Sequence, residues 1–311
     1  MIDEKDILAI PSNRLRRLAS FASLGVATVL IAAKLGAYLA TDSVAMLTSL
    51  FDSIFDLVAS LVTAFGIASA MRPPDENHRF GHGKAEPLAA LAQAIFIMVS
   101  SGILAAQAIS RFYHPQDISN DVIGYGVMAL AVVLTIGLVS LQHHVISKTG
   151  STAIGADRLH YVGDLGINVA VVAAFVLQRS TGLVWFDPLF ALVMVLGLVY
   201  SSVHILKQAL LSLMDAELPE AQRQQIIAIV KRQPGVHGMH DMRTRSDGDR
   251  IFIELHAEMD GSITLNEAHQ LAEKIAQAVR VEFPSADVLV HQDPGGHIDQ
   301  RLDTQIKRQA Q

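Results

Sequence analysis

Four ionisable residues stand in segments that are otherwise apolar enough to be buried in a membrane. His160 and Asp164 lie four residues apart in RLHYVGDLGINV, which runs into AVVAAFVL with no turn signal between them. Asp52 and Asp56 repeat that spacing in TSLFDSIFDLVAS. On a helix, residues i and i+4 share one face, a turn apart. A carboxylate at bilayer depth costs several kcal/mol, so three of them need a common reason. If the two faces meet, one imidazole nitrogen and three carboxylate oxygens converge, a donor set that suits a tetrahedral divalent cation such as Zn²⁺. Either pair alone could equally be hydrogen-bonding glue between helices. Two pairs with matching spacing favour a metal site. These groups shed protons to bind metal, so metal and proton compete for them. His160, whose type titrates near about pH 6.5, is the candidate proton-exchanging group. Asn168 extends one face by a turn, and Ser60 and Thr48 extend the other, as the lining of a hydrated cavity would.

The elements that position these residues follow from hydropathy. The chain has 311 residues, of which 51% are hydrophobic and 17% charged, with a mean hydropathy of +0.36. That is unusual for a soluble domain. Before about Ser212 the sequence is mostly long apolar runs; after Asp215 it reads as an ordinary soluble domain. A spanning helix needs about 20 mainly apolar residues. Six candidates result, near 20–40, 43–70, 87–110, 121–146, 154–178 and 186–212. Lys and Arg cluster in alternate loops: Arg14, Arg16 and Arg17, then Arg72, Arg79 and Lys84, then Lys148 and Arg158. The opposite loops hold Arg111 and Arg179, and none around 41–43. This asymmetry places both termini in the cytoplasm. No signal peptide is expected. The net charge of −6 gives no reason to invoke nucleic acid. With no cysteine, thiolate metal sites and thiol catalysis are excluded, so a metal here must be held by His, Asp or Glu.

Residues 214–295 read as α-β-β-α-β. PEAQRQQIIAIVKRQ is an amphipathic helix opened by Pro219 and ended near Pro234–Gly235. HDMRTRSDGDRIFIELHAEM is a hairpin turning at Asp247–Gly248. TLNEAHQLAEKIAQAVRVEF is a helix with Thr264 as N-cap, and ADVLVHQD is a last strand. The polar tail, 296–311, is expected to be disordered. Five of the thirteen histidines fall in this small domain. Single surface histidines are usually inert, but a cluster without cysteine points to an N/O metal site.

A further ligand pattern, D-x-x-H-x-x-x-H, occurs in the loop DENHRFGHG as Asp75, His78 and His82. It offers three ligands on a short segment, or else is simply a solvated polar loop. Other polar residues invite plainer readings. Lys34 either snorkels or faces the bundle interior, with packing the simpler account. His143 and His144 look interfacial, His204 looks like a buried hydrogen-bonding residue, and His237 and His297 fit no pattern. Asp157, one turn before His160, either draws cations to the cytoplasmic mouth or caps a helix.

DSIFD, HYVGD and DENHRFGHGKAEPL together resemble the cation diffusion facilitator family, and most of all its bacterial YiiP-type (ferrous-iron efflux) branch. The likeness runs from the first span to HQDP near residue 294. It implies a homodimeric zinc/proton antiporter of the bacterial inner membrane, with six transmembrane helices and a cytoplasmic domain like a copper metallochaperone. It implies that Asp52, Asp56, His160 and Asp164 are the transport site, with Zn²⁺ and Cd²⁺ preferred. Asp75, His78 and His82 match the family's loop site. His240, His256, His269, His291 and Asp293 match a binuclear zinc centre in which Asp293 bridges, with His256 and His291 on one metal and His240 and His269 on the other. Gln292 would support that centre from behind its ligands. The resemblance also pairs Lys84 with Asp215 as a hinge, and makes Leu159, beside His160, part of an apolar gate.

The expected function is therefore Zn²⁺ export in exchange for H⁺, regulated by metal in the cytoplasmic domain. Fe²⁺ or Mn²⁺ efflux by the same route stays open, because stability order does not set selectivity in cells. So does a membrane-bound metal sensor without transport, although a sensor needs no ligands at mid-membrane. No G-x-S-x-G or H-E-x-x-H motif points to an enzyme.

Overall fold

The computed structural model describes residues 11–41, 44–113, 122–181, 185–248, 250–296 and 301–309. The chain divides into two compact units, Met1–Leu210 and Leu211–Gln311.

The first unit is helical: α1 (Pro11–Thr41), α2 (Val44–Ala70), α3 (Ala85–Tyr113), α4 (Val122–Thr149), α5 (Thr152–Thr181) and α6 (Phe186–Leu213). Pro11 stands at the first position of α1, where a missing N–H costs nothing. Between α4 and α5, Gly150 adopts φ +64 and donates its N–H to Ile146 at 2.8 Å, a left-handed stop that a side chain would strain. Ser151 Oγ then accepts from the Ile154 N–H at 3.3 Å and caps α5. Around α5 are packed α1, α2, α3 and α4, while α6 leans on it through Leu198 at Gly163 and Met194 at Gly166. Phe21, Leu39, Phe65, Val99, Val133 and Leu196 are exposed on the outside of this unit, a surface suited to lipid.

Among the described residues, five helices are long and apolar enough to cross a membrane, over Asn13–Ala40, Ser49–Ala70, Ala85–Ser110, Gly126–Thr149 and Pro188–Leu213. The remaining expected span is α5, which carries His160, Asp164 and Asn168 and is not in that set. It is nevertheless a continuous helix of 30 residues, or about 45 Å at 1.5 Å per residue, against about 30 Å of bilayer core.

The second unit runs α7 (Glu220–Lys231), β1 (Gly238–Ser246), β2 (Ile251–Met259), α8 (Leu265–Glu282), β3 (Ala286–Pro294) and α9 (Leu302–Gln309). The sheet order is β1-β2-β3, with β1 antiparallel and β3 parallel to β2. Ile253, Leu255, Ala257 and Met259 alternate along β2 and pack with Ile226 and Val230 of α7 and Ile275 and Val279 of α8. That leaves Glu254, His256 and Glu258 on the opposite face. Thr264 caps α8 through a reciprocal capping box with Glu267. Gly248, at φ +102, turns the β1–β2 hairpin.

The tail departs from expectation: residues 302–309 form α9 rather than a disordered segment. Its composition is polar, but its N-terminus is capped from afar. Asp241 accepts from the N–H groups of Leu302 (2.8 Å) and Asp303 (2.9 Å), and Asp303 accepts from the Asp241 N–H (3.0 Å). His297, Ser43 and the side chains of Thr48, Arg111 and Arg179 lie outside the described residues.

Candidate metal centres in the membrane and soluble units

The packing of α2 on α5 brings the two ionisable faces together. His160 Nε2 lies 2.8 Å from Asp56 Oδ1 and 3.7 Å from Asp164 Oδ2. One ligand atom from each of Asp56, His160 and Asp164 falls within 4.8 Å of the others. His160 is 9% exposed, with the Phe96 ring edge-on at 5.7 Å and Tyr161 at 5.6 Å. This is a compact N/O₂ group in an apolar bundle, able to hold a divalent cation with room for further oxygen ligands.

Asp52 does not join that group. It lies one turn before Asp56 on an exposed part of α2 and acts coulombically on Asp56 and Lys34. Two carboxylates a turn apart repel, and Asp56 is already bound to His160. Lys34 of α1 is tied into the same region. Its Nζ donates to the Ser49 carbonyl at 3.0 Å and to Ser53 Oγ at 2.6 Å, and its charge acts on Asp56, Asp52 and Asp164. Lys34 thus faces the bundle interior as a neighbour of the candidate site.

Asp157 is neither a cation lure at a mouth nor a helix cap. It is 1% exposed. Its Oδ2 accepts from Ser23 Oγ (2.7 Å) and Gln142 Nε2 (2.8 Å), and its Oδ1 from Ser60 Oγ (3.2 Å) and Gln93 Nε2 (3.3 Å). The donors come from α1, α4, α2 and α3, so one carboxylate on α5 ties five helices together. Ser60 also bonds the Tyr161 hydroxyl at 3.0 Å. Ser60 therefore belongs to this hub rather than to a simple cavity wall. The hub was not legible from spacing, because Ser23 lies 134 positions from Asp157.

In the loop between α2 and α3, Asp75 Oδ1 accepts from the N–H groups of Asn77 (2.9 Å) and His78 (2.6 Å), an Asx turn. The His78 N–H, foremost, holds the exposed Asp75 carboxyl below its usual range. His78 Nδ1 lies 3.2 Å from Asp75 Oδ1 and His82 Nε2 3.3 Å from Asp75 Oδ2. Asp75, His78 and His82 thus present ligand atoms within one metal-sized space.

In the second unit, strand register does the assembling. His240 pairs with His256 across β1–β2, and His256 with His291 across β2–β3. Asp293, two positions beyond His291, shares its face. Asp293 Oδ2 sits 2.9 Å from His256 Nδ1 and 3.3 Å from His240 Nε2, and its Oδ1 3.1 Å from His291 Nε2. His240, His256 and Asp293 form the tight group; His291 stacks beside it, its ring 4.5 Å from that of His256. His269 does not come to this group. It is exposed on α8, whose buried side covers the other face of the sheet. Gln292 likewise points to that other face by strand alternation. A residue not anticipated here is Glu258, whose Oε1 lies 3.2 Å from His240 Nδ1 and accepts from Arg301 at 2.5 Å. Asp215 is within 3.5 Å of Arg245. Leu159 is half-buried on α5, His143 and His144 are exposed on α4, and His204 is exposed and bonded to Gln208 at 3.0 Å rather than buried.

An apolar six-helix unit with a compact intramembrane N/O₂ group, followed by an α-β-β-α-β domain with its own His/Asp group, defines a multi-pass membrane protein that handles metal cations. Residues 20–214 match the cation efflux transmembrane domain, and residues 218–295 match the cytoplasmic domain of cation efflux proteins. The chain belongs to the cation efflux, or cation diffusion facilitator, family. It is 43% identical to the cation-efflux pump FieF of Shewanella oneidensis over 278 residues, 89% of this chain and 94% of that one. It is 42% identical to that of Serratia proteamaculans, over 90% of this chain and 93% of that one, and 40% identical to protein p34 of Rickettsia rickettsii, over 91% and 94%. Among solved structures it is similar to the metal-bound C-terminal domain of the CzcD transporter from Thermotoga maritima, at 30% identity over 26% of this chain and all of that one, with a TM-score of 0.25. It is a cation efflux transporter, and its family is one of transporters rather than enzymes.

Proposed function

We propose that the protein exports Zn²⁺, and with it Cd²⁺, from the bacterial cytoplasm across the inner membrane in exchange for protons. The observation that carries this reading is the Asp56–His160 contact of 2.8 Å inside an apolar bundle, with Asp164 beside it. In this reading Asp52 closes around the cation as the fourth ligand. His160 nitrogen is the one donor in the set that favours Zn²⁺ over harder ions. Metal and proton cannot share His160 Nε2, so protonation from outside releases the metal. The arginines and lysines of the alternate loops support cytoplasmic termini.

The cytoplasmic centre, His240, His256 and Asp293 with His291, is proposed to hold Zn²⁺ as a structural and regulatory ion. His269 would enter only from elsewhere, and a homodimer is the reading in which it does so. Asp75, His78 and His82 form the loop site. Leu159 is proposed as part of the gate.

Purified protein in liposomes tests this directly. Zn²⁺ flux should rise with an imposed pH gradient and be lost in Asp56→Ala. Flux of Fe²⁺ or Mn²⁺ but not Zn²⁺ would change the ion. Metal binding without flux would point to a sensor.

A further inference from the structure

The intramembrane group has more charge around it than its ligands. Asp52, Asp56 and Asp164 bring three carboxylates, and Lys34 brings an ammonium whose charge couples to all three. Lys34 is not a snorkelling lysine reaching for a headgroup. Its ammonium is held inward, on the Ser49 carbonyl and the buried Ser53 hydroxyl. Both acceptors lie on the same stretch of α2 as Asp52, and Ser53 is its immediate neighbour. Counted with a neutral imidazole, three carboxylates and one ammonium leave two negative charges, which one divalent cation cancels. Without the ammonium, the loaded site would keep a net negative charge in a medium that penalises it.

We propose that Lys34 is a resident counter-charge of the transport site, which matches the site's net charge to a divalent ion and keeps its affinity low enough for release. The idea rests on Asp56, His160 and Asp164 being the transport site. Nothing in it requires Lys34 to touch the metal. It acts through the field it places on the carboxylates, and through Ser53 on the position of Asp52. A positive charge coupled to the same carboxylates weakens the binding of a dication, by an amount that grows as the effective dielectric falls. Its removal therefore tightens the site rather than destroying it.

The test uses the full chain in detergent and in liposomes, with Zn²⁺ alone as ligand. Zn²⁺ titrations are run on native protein, Lys34→Met, Lys34→Gln and Lys34→Arg, each with and without Asp56→Ala, so that the intramembrane component is the part lost with Asp56. Lys34→Gln keeps a donor for Ser49 and Ser53 and carries the test if Lys34→Met does not fold. The expected result is that the uncharged variants bind Zn²⁺ at this component about tenfold tighter or more and show a lower maximal flux, while Lys34→Arg stays near native. Affinity within twofold of native in the uncharged variants, or weaker binding, overturns the proposal. So does native behaviour of Lys34→Gln beside weakened Lys34→Met, which would leave only a packing role, and so does failure of all three to fold. If Asp56→Ala changes neither binding nor flux in the native background, the transport-site reading itself fails, whatever Lys34 does.

Discussion

His160 and Asp157 are three residues apart on one helix and do opposite things with charge. His160 contacts two carboxylates, Asp56 and Asp164, through Nε2. Asp157 accepts hydrogen bonds on both oxygens from neutral donors and is sealed from solvent. Replacing Asp157 by Ala strands Ser23, Ser60, Gln93 and Gln142 around a hole, and each buried unpaired polar group costs about 1–3 kcal/mol. We expect Asp157→Ala to lower stability by about 3 kcal/mol or more and Asp157→Asn by less, read from thermal or denaturant unfolding in detergent. Equal stability of Asp157→Ala and native protein would show that the hub holds nothing. His160→Ala removes the one nitrogen donor of the Asp56–His160–Asp164 group, and Zn²⁺ binding should weaken more than binding of oxygen-preferring Mn²⁺. A uniform loss for both ions would contradict the ligand role. The i, i+4 pairs were readable because the helical period is fixed and buried charge is expensive. Whether Asp52 or Asp56 would meet His160 was not, because both have the same spacing and only the packing of α2 on α5 chooses between them.

Elements are held by a few contacts between distant parts of the chain. Arg16 on α1 is 3.4 Å from Glu86 on α3, both almost fully buried, and it donates to the Thr149 carbonyl at the end of α4 at 3.2 Å. From the sequence Arg16 was one of three basic residues marking a cytoplasmic end; the structure makes it an internal tie among three helices. Arg16→Ala leaves Glu86 buried without that cation and should cost about 3–5 kcal/mol, whereas the neighbouring exposed Arg17→Ala should cost well under about 1 kcal/mol. Comparable melting temperatures for the two variants would refute the distinction. In the soluble unit α9 depends on Asp241. Burial pushes the Asp241 carboxyl up, but the Asp303 and Leu302 N–H groups outweigh it and hold it below the usual carboxylate range. A depressed folded value gives stability that is present above the unfolded pKa, about 3.9, and lost as pH falls through the lower folded one. Anchoring of α9 should therefore be unchanged from neutral pH to about pH 5 and fail only in strong acid. Asp241→Ala should free the helix at every pH. Limited proteolysis at residues 301–309 reads both, and early release near pH 5 would count against the cap. The tail looked disordered because its partner lies 61 residues upstream, beyond what local composition records.

At the scale of the whole molecule, the sequence already showed its two halves, the apolar spans and the α-β-β-α-β order. It also marked the histidines that strand register lines up as His240, His256 and His291. The register itself, with its shift between His240 and Arg243, depends on pairing that no single strand encodes. His269 was grouped with these residues by resemblance, and a single chain keeps it on the far layer. What unites the halves functionally is the claim that cations leave the cytoplasm through the Asp56–His160–Asp164 group in exchange for protons. The most direct measurement is Zn²⁺ flux in liposomes under an imposed pH gradient, with Asp56→Ala alongside. Flux should scale with the gradient in the native protein and vanish in Asp56→Ala, with cytoplasmic-domain binding intact in both. Flux that persists in Asp56→Ala, or that ignores the gradient, would contradict it.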